Sequence, residues 1–391
     1  MSWAAARRVI AALVLLACVA LGVWLSAENL KFAWRVNEDG VSPLSGKGPT
    51  HDFTNLWIGG RLALADRLPV LFDQQAYMDA IDAQVQPFST RSEWSYPPTM
   101  LLLGVLAAQG PLYVAFAAWS AGTLAFFLLA VRAGGAQAWC VAAMAVSPAV
   151  VCNFLFGQNG AFTAACLVGG YALALRRPAL AGALIGLLAV KPHAALLAPF
   201  CLAAAGAWRA FFAAGLCVAG LTLASLAAFG WETWRGFFSV TTPMMVSFME
   251  HPPLHLYQRN GVSTFLLART LGADLTVAYA AQGAATAVAI VMAWRLWRAP
   301  CADPLLRAAT TALLGVMASA YGYTYELFAL TLTALVLAAR DGGRSPALLA
   351  LLGVAWVWPL LSVFLTVLFY PLTPLVAGAV LFASWRALRA R

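Results

Sequence analysis

The chain has 391 residues, of which 62% are hydrophobic and only 10% charged, with a mean hydropathy of +0.81. That balance excludes an ordinary soluble domain, which needs far more charge to cover its surface, and marks an integral membrane protein. The net charge of +9 does not point to nucleic acid, because the arginines stand singly or in pairs at the ends of apolar runs and form no basic stripe.

The first apolar run, 9–27, follows Arg7 and Arg8. Leu25-Ser26-Ala27 is a weak cleavage-like site, but a run of about 19 apolar residues favours a retained helix over a signal peptide. The stretch 28–95 then holds nine of the fifteen acidic residues: Glu28, Glu38, Asp39, Asp52, Asp66, Asp73, Asp79, Asp82 and Glu93. Most of these are the ordinary charge of an exposed loop. Asp52 differs, because Phe53, Leu56, Trp57, Gly60, Leu62, Ala63 and Leu64 follow it at helical spacing and predict an amphipathic helix lying in the membrane interface. Asp52 then reads as that helix's N-cap, as a general base at headgroup height, or as both.

Glu93-Trp94-Ser95-Tyr96-Pro97-Pro98 turns the chain back toward the membrane, and 97–108 and 260–272 are apolar but too short to cross. Apolar runs bounded by Arg, Pro or Gly give the remaining spans as 111–131, 136–155, 159–175, 178–190, 193–207, 209–229, 274–294, 304–321, 324–339, 346–369 and 372–385. With 9–27 these make about twelve crossings of a single membrane domain, 1–391. If Arg7 and Arg8 are cytoplasmic, alternation puts Arg132, Arg176, Arg177, Arg209, Arg295, Arg298, Arg307, Arg340, Arg344, Arg386, Arg389 and Arg391 on that side too, as the positive-inside rule requires. Both termini are then cytoplasmic. The seven cysteines, Cys18, Cys140, Cys152, Cys166, Cys201, Cys217 and Cys301, lie in or beside apolar segments and read as small buried hydrophobes.

The same alternation sends the unusual polar residues to the outer face. Gly157-Gln158-Asn159-Gly160 is a polar turn between spans. Lys191-Pro192-His193 interrupts an apolar stretch, where an ionisable side chain is expensive unless Lys191 snorkels to the interface. The stretch 230–260 is also outer, and its loop 249–260 carries Glu250, His251, His255, Tyr257, Gln258 and Arg259. Pro252 and Pro253 break the helical geometry that two histidines four apart would need to share a metal. Tyr321-Gly322-Tyr323-Thr324-Tyr325-Glu326 places an acid among interfacial tyrosines. No nucleotide-binding or HExxH pattern is present, so a group donor used on this face is lipid-borne or already exported.

In this order, HDFTNLWIGGRLAL, EWSYPP, FGQNGAF, AGALIGLLAVKPHAALLAP and YGYTYELFAL resemble glycosyltransferase family 87, the polyprenol-phosphate-mannose-dependent α-1,2-mannosyltransferase type, over residues 50 to about 335. The resemblance implies an all-α polytopic membrane protein of the GT-C class, with interfacial helices in its outer loops. It also implies an outer-face active site, a polyprenyl-phosphate-sugar donor, a lipid-linked or glycan acceptor, and inversion. The family's acid before Phe-x-x-aromatic falls on Asp52, and its Lys-Pro pair on Lys191 and Pro192. Where the family's late Tyr-x-Tyr motif carries Asp, this chain has Glu326.

Asp52 is thus the expected base. Lys191, His193 and Arg259 are the outer-face groups able to assist a departing phosphate, and His51, Tyr96, Gln158, Asn159, His255, Gln258, Tyr325 and Glu326 are expected substrate contacts. No cofactor or metal is obligatory, because the phosphate already carries the leaving charge. A transporter or flippase of a lipid-linked sugar is the alternative, but it would gather its ionisable groups near the bilayer midplane rather than at one face.

Overall fold

The computed structural model describes residues 3–38, 48–85, 92–251, 258, 260–301, 303–342, 345–368 and 371–389, and their regular elements are all helices. In chain order these are α1 (Trp3–Trp34), α2 (Phe53–Leu64), α3 (Gln74–Val85), α4 (Pro98–Ala107), α5 (Leu112–Ala133), α6 (Ala138–Ala145), α7 (Pro148–Leu155), α8 (Gly160–Leu173) and α9 (Pro178–Gly186). They continue as α10 (Ala198–Ala204), α11 (Trp208–Gly236), α12 (Thr242–Glu250), α13 (Thr264–Thr270), α14 (Leu275–Arg298), α15 (Pro304–Ala318), α16 (Phe328–Asp341), α17 (Pro346–Leu368) and α18 (Thr373–Arg389).

Among the described residues, six helical stretches are long and apolar enough to cross a membrane: Arg8–Lys31, Leu112–Ala133, Ala138–Leu155, Trp208–Glu250, Leu275–Arg298 and Pro346–Val363. Their outward faces carry Leu13, Leu16, Leu216, Leu223 and Val288, all exposed. Such surface is costly in water and suited to lipid, so the chain is a polytopic membrane protein. The expected spans 159–175, 178–190, 193–207 and 304–321 instead give the shorter apolar helices Gly160–Leu173, Pro178–Val190, Pro192–Ala204 and Pro304–Ala318. Proline explains several of these limits. Pro148, Pro178, Pro192 and Pro304 each sit in the first turn of a helical segment, where the missing N–H costs nothing and the preceding segment must end.

The main core is a cluster of buried side chains running from Phe53 to Leu381, with a smaller one around Leu25, Tyr323 and Tyr325 and another around Phe265. Within it α8 packs on α5, α9 and α15, while α1 lies along α17. All seven cysteines are free, with Cys140, Cys152, Cys166 and Cys201 fully buried.

Two expectations are corrected here. Helix α2 is not laid on the surface of the protein with one face outward: nine of its twelve residues are buried, its polar positions Thr54 and Asn55 among them. It crosses α4 where Gly60 meets Gly104, an approach that leaves no room for a side chain. Nor does the helix of the expected span 209–229 end there, because it resumes after a kink at Gly230 (φ 76°, ψ 166°) and continues through a π-helical turn at Phe237–Thr241 into α12.

Candidate active site

Three breaks in helical structure converge. The first is the turn at 50–52 that precedes α2, the second is the turn 156–159 between α7 and α8, and the third is the turn Thr324–Glu326 that leads into α16. Glycine lets them meet. Gly157 takes the left-handed backbone (φ 58°) and lies against the Thr50 carbonyl and the Phe53 N–H. Gly160 lies against the Tyr325 carbonyl, where a Cβ would collide.

Asp52 is half-buried, its backbone is helical (φ −71°, ψ −13°), and its carboxylate makes no capping bond to α2. Gln158 Nε2 donates to Asp52 Oδ2 at 2.7 Å, and the Asp52 N–H donates to the Phe156 carbonyl at 3.3 Å. The N-cap reading is therefore corrected: the side chain is turned from its own helix toward the turn at 158. His51 before it is buried with φ 46°, a conformation rare outside glycine, and its ring meets Phe156 edge-on at 6.0 Å.

The next residue along the turn reaches the second cluster. Asn159 Oδ1 accepts from Lys191 Nζ at 3.1 Å, and Lys191 forms an ion pair with Glu326. Lys191 is only 5% exposed, so it does not snorkel. It sits between the 3-10 turns Leu187–Val190 and Pro192–Ala195, with its ammonium 5.3 Å from the centre of the Tyr325 ring. Both Glu326 oxygens are engaged: Oε1 faces Lys191 and, at 3.9 Å, His193 Nε2, while Oε2 accepts from the Tyr323 N–H at 3.3 Å. The cost of burying the Glu326 carboxylate is offset by the Lys191 ammonium and by His193 beside it. Around the pair runs an aromatic chain: His193 on Tyr321 at 5.5 Å, Tyr321 on Tyr323 at 4.9 Å, Tyr323 on Tyr325 at 5.6 Å, and Tyr325 on Phe156 at 6.1 Å.

The structure thus brings together Asp52, His51, Gln158, Asn159, Lys191, His193, Tyr325 and Glu326. Tyr96 packs edge-on against Trp94 at 5.5 Å. Gln258 is given to its own loop, since its amide nitrogen donates to the carbonyls of His251 at 2.6 Å and of Phe248 and Met249 at 3.3 Å. His255 and Arg259 lie outside the described residues. One contributor went unread in the sequence. The Asn153 carbonyl accepts from Gln158 N–H at 3.1 Å and its side-chain Oδ1 from Gly160 N–H at 2.7 Å, clamping the turn at both ends. Its only signal was a carboxamide deep within the apolar run 136–155, whose other one, Gln137, stands at the edge.

The sequence profile of glycosyltransferase family 87 matches residues 94–320, more than half of the chain. The chain belongs to glycosyltransferase family 87. The family 87 match takes in Tyr96, Gln158, Asn159, Lys191 and His193, with Asp52 upstream of it and Glu326 just beyond. No curated protein and no solved structure matches the chain. As a member of family 87 it is a membrane glycosyltransferase, acting between a sugar donor and an acceptor.

The buried pair has a measurable signature. E326Q leaves a buried cation uncompensated and should cost about 3–5 kcal/mol. Thermal unfolding of the detergent-purified protein is expected to show that loss at neutral pH, and the charge-neutral K191Q/E326Q should recover part of it. An E326Q variant as stable as the unaltered chain would contradict the pairing.

Proposed function

We propose that this family 87 enzyme moves a hexose of the mannose type from a polyprenyl-phosphate-sugar donor to a lipid-linked or glycan acceptor at the outer face of a bacterial-type plasma membrane, with inversion. About twelve crossings in a GT-C-type arrangement, with both termini cytoplasmic, are part of the same reading. Helix polarity supports it. Helix α8 starts at the site and ends just before Arg176 and Arg177, α16 starts beside Glu326 and ends at Arg340, and α15 carries Arg307 in its first turns and leads into the site. Three helices of 14 or 15 residues, about 21–22 Å each, thus separate the site from a basic end, as the positive-inside rule expects of an outer site.

What carries the chemistry is a half-exposed carboxylate held by one amide, next in sequence to a second amide held by a buried cation. In a single displacement the acceptor oxygen attacks the anomeric carbon and its proton passes to Asp52. The bond from that carbon to the phosphate oxygen breaks, and its electron pair leaves with the lipid phosphate. Attack opposite the leaving group inverts the centre. The departing phosphate gains charge, and His193, beside the Lys191–Glu326 pair, is the hydrogen-bonding group proposed on its side, with Arg259 as a second cation. The base, fixed by Gln158, stands on the other. His51, Tyr96, Asn159 and Tyr325 remain candidates for framing the sugar, whereas Gln258 serves its loop.

Replacing Asp52 tests this directly. D52N and D52A, once shown to insert into membranes, should lose on the order of a hundredfold or more of sugar transfer from a polyprenyl-phosphate sugar. Full transfer by both variants would remove Asp52 as the base.

A further inference from the structure

We propose that Lys191 is a positioning residue: its Glu326-balanced ammonium holds the Asn159 carboxamide, and through the turn 157–160 it fixes the Gln158 amide that orients Asp52. This rests on the reading of Asp52 as the base. It separates Lys191 from His193, which sequence alone placed together as phosphate contacts.

Three observations carry it. First, the ammonium is already surrounded, by the Glu326 carboxylate, by Asn159 Oδ1 at 3.1 Å and by the Tyr325 ring at 5.3 Å. It is 5% exposed and its charge is matched, so it offers an incoming phosphate neither a free direction nor net charge. The His193 side chain is 33% exposed at the rim of the same pair. Second, the Asn159 carboxamide has one anchor. It is 3% exposed, its oxygen takes the Lys191 hydrogen bond, and its nitrogen finds no acceptor among the described residues. Among the described residues the lysine is that carboxamide's hydrogen-bond partner. Third, the link from Asn159 to Asp52 is stiff. Asn153 bonds the backbone N–H groups of Gln158 and Gly160, and the Gly157 and Gly160 backbones are wedged against Thr50 and Tyr325. Asn159 and Gln158 are thus consecutive members of one rigid turn, so the lysine's hold on Asn159 and the donor 2.7 Å from Asp52 Oδ2 share a single frame. Lys191 is itself seated from behind, with its N–H on the Leu188 carbonyl and the neighbouring Ala189 carbonyl taken by Thr99 at 2.7 Å.

A positioning residue and a phosphate ligand separate in kinetics, because loss of alignment lowers kcat whereas loss of a phosphate contact weakens donor binding. The test uses purified full-length K191M, E326Q and the charge-neutral pair K191Q/E326Q. Each is assayed for transfer and titrated with a short-chain polyprenyl phosphate in detergent. K191M is expected to lose on the order of tenfold to a hundredfold in kcat, while its Kd for polyprenyl phosphate stays within about twofold. K191Q/E326Q, which keeps an N–H donor for Asn159 and leaves no unpaired charge, should recover part of the loss and bind polyprenyl phosphate normally. A Kd that rises in K191M and in the double variant as far as kcat/KM falls would overturn the proposal, as would tighter phosphate binding by E326Q. D52N in the same assays keeps the two readings apart: full transfer by D52N defeats the base, whereas the Lys191 titrations decide the role of Lys191 either way.

Discussion

A lysine and a glutamate meet inside a bundle in which, among the described residues, Arg307 is the other buried charged side chain, and the site is arranged around that meeting. Neither could be held there alone, since an isolated ion in so apolar a setting costs several kcal/mol. The pairing dictates that the break between α9 and α10, which carries Lys191, must face the turn before α16, which carries Glu326. Once those two interruptions are opposed, the turn 156–159 is the third wall, and Asn159 is the side chain that completes the ammonium's hydrogen bonding. Asp52 is drawn in last, through Gln158. The strength of a buried pair lies less in net stabilisation than in the arrangement it enforces, because every alternative packing leaves a charge unmatched.

Around this charged kernel the protein spends its aromatic residues. Tyr323 and Tyr325 are buried and stack on one another, and with Tyr321, Phe156 and His193 they form a nearly dry shell. Low local dielectric strengthens the pair within and the polar bonds that radiate from it. It also divides labour. Asp52 and His193 are half-buried and stand at opposite ends of the chain of contacts, whereas Lys191, Asn159 and Tyr325 between them are buried. An in-line displacement needs such a division, with a base on one side of the anomeric carbon and help for the leaving group on the other.

Much of this was legible before any coordinates. Composition and hydropathy gave a polytopic helical protein, and the interrupted motifs at 51–52, 158–159, 191–193 and 321–326 are the segments that converge. The misreadings have local causes. The stripe from Phe53 to Leu64 fits an interfacial helix and a buried one equally well, and only the opposed glycines Gly60 and Gly104 decide for burial. Asp52 fits an N-cap until a partner more than a hundred residues away claims its carboxylate. Hydropathy also counts residues without knowing where proline ends a helix, so segments that read as full spans emerge as helices of 14 or 15 residues. Asn153 and Gln258 bond to backbone groups, and that use of a carboxamide leaves no pattern in sequence.

The most direct test of the central claim is a structure of the full chain in a lipid nanodisc with a non-transferable phosphonate analogue of a polyprenyl-phosphate sugar. The sugar's anomeric carbon should lie between Asp52 and the phosphonate, with the phosphonate oxygens nearest His193 and the Lys191 ammonium still on Glu326 and Asn159. A phosphonate seated directly on Lys191, or a sugar bound away from Asp52, would contradict the account.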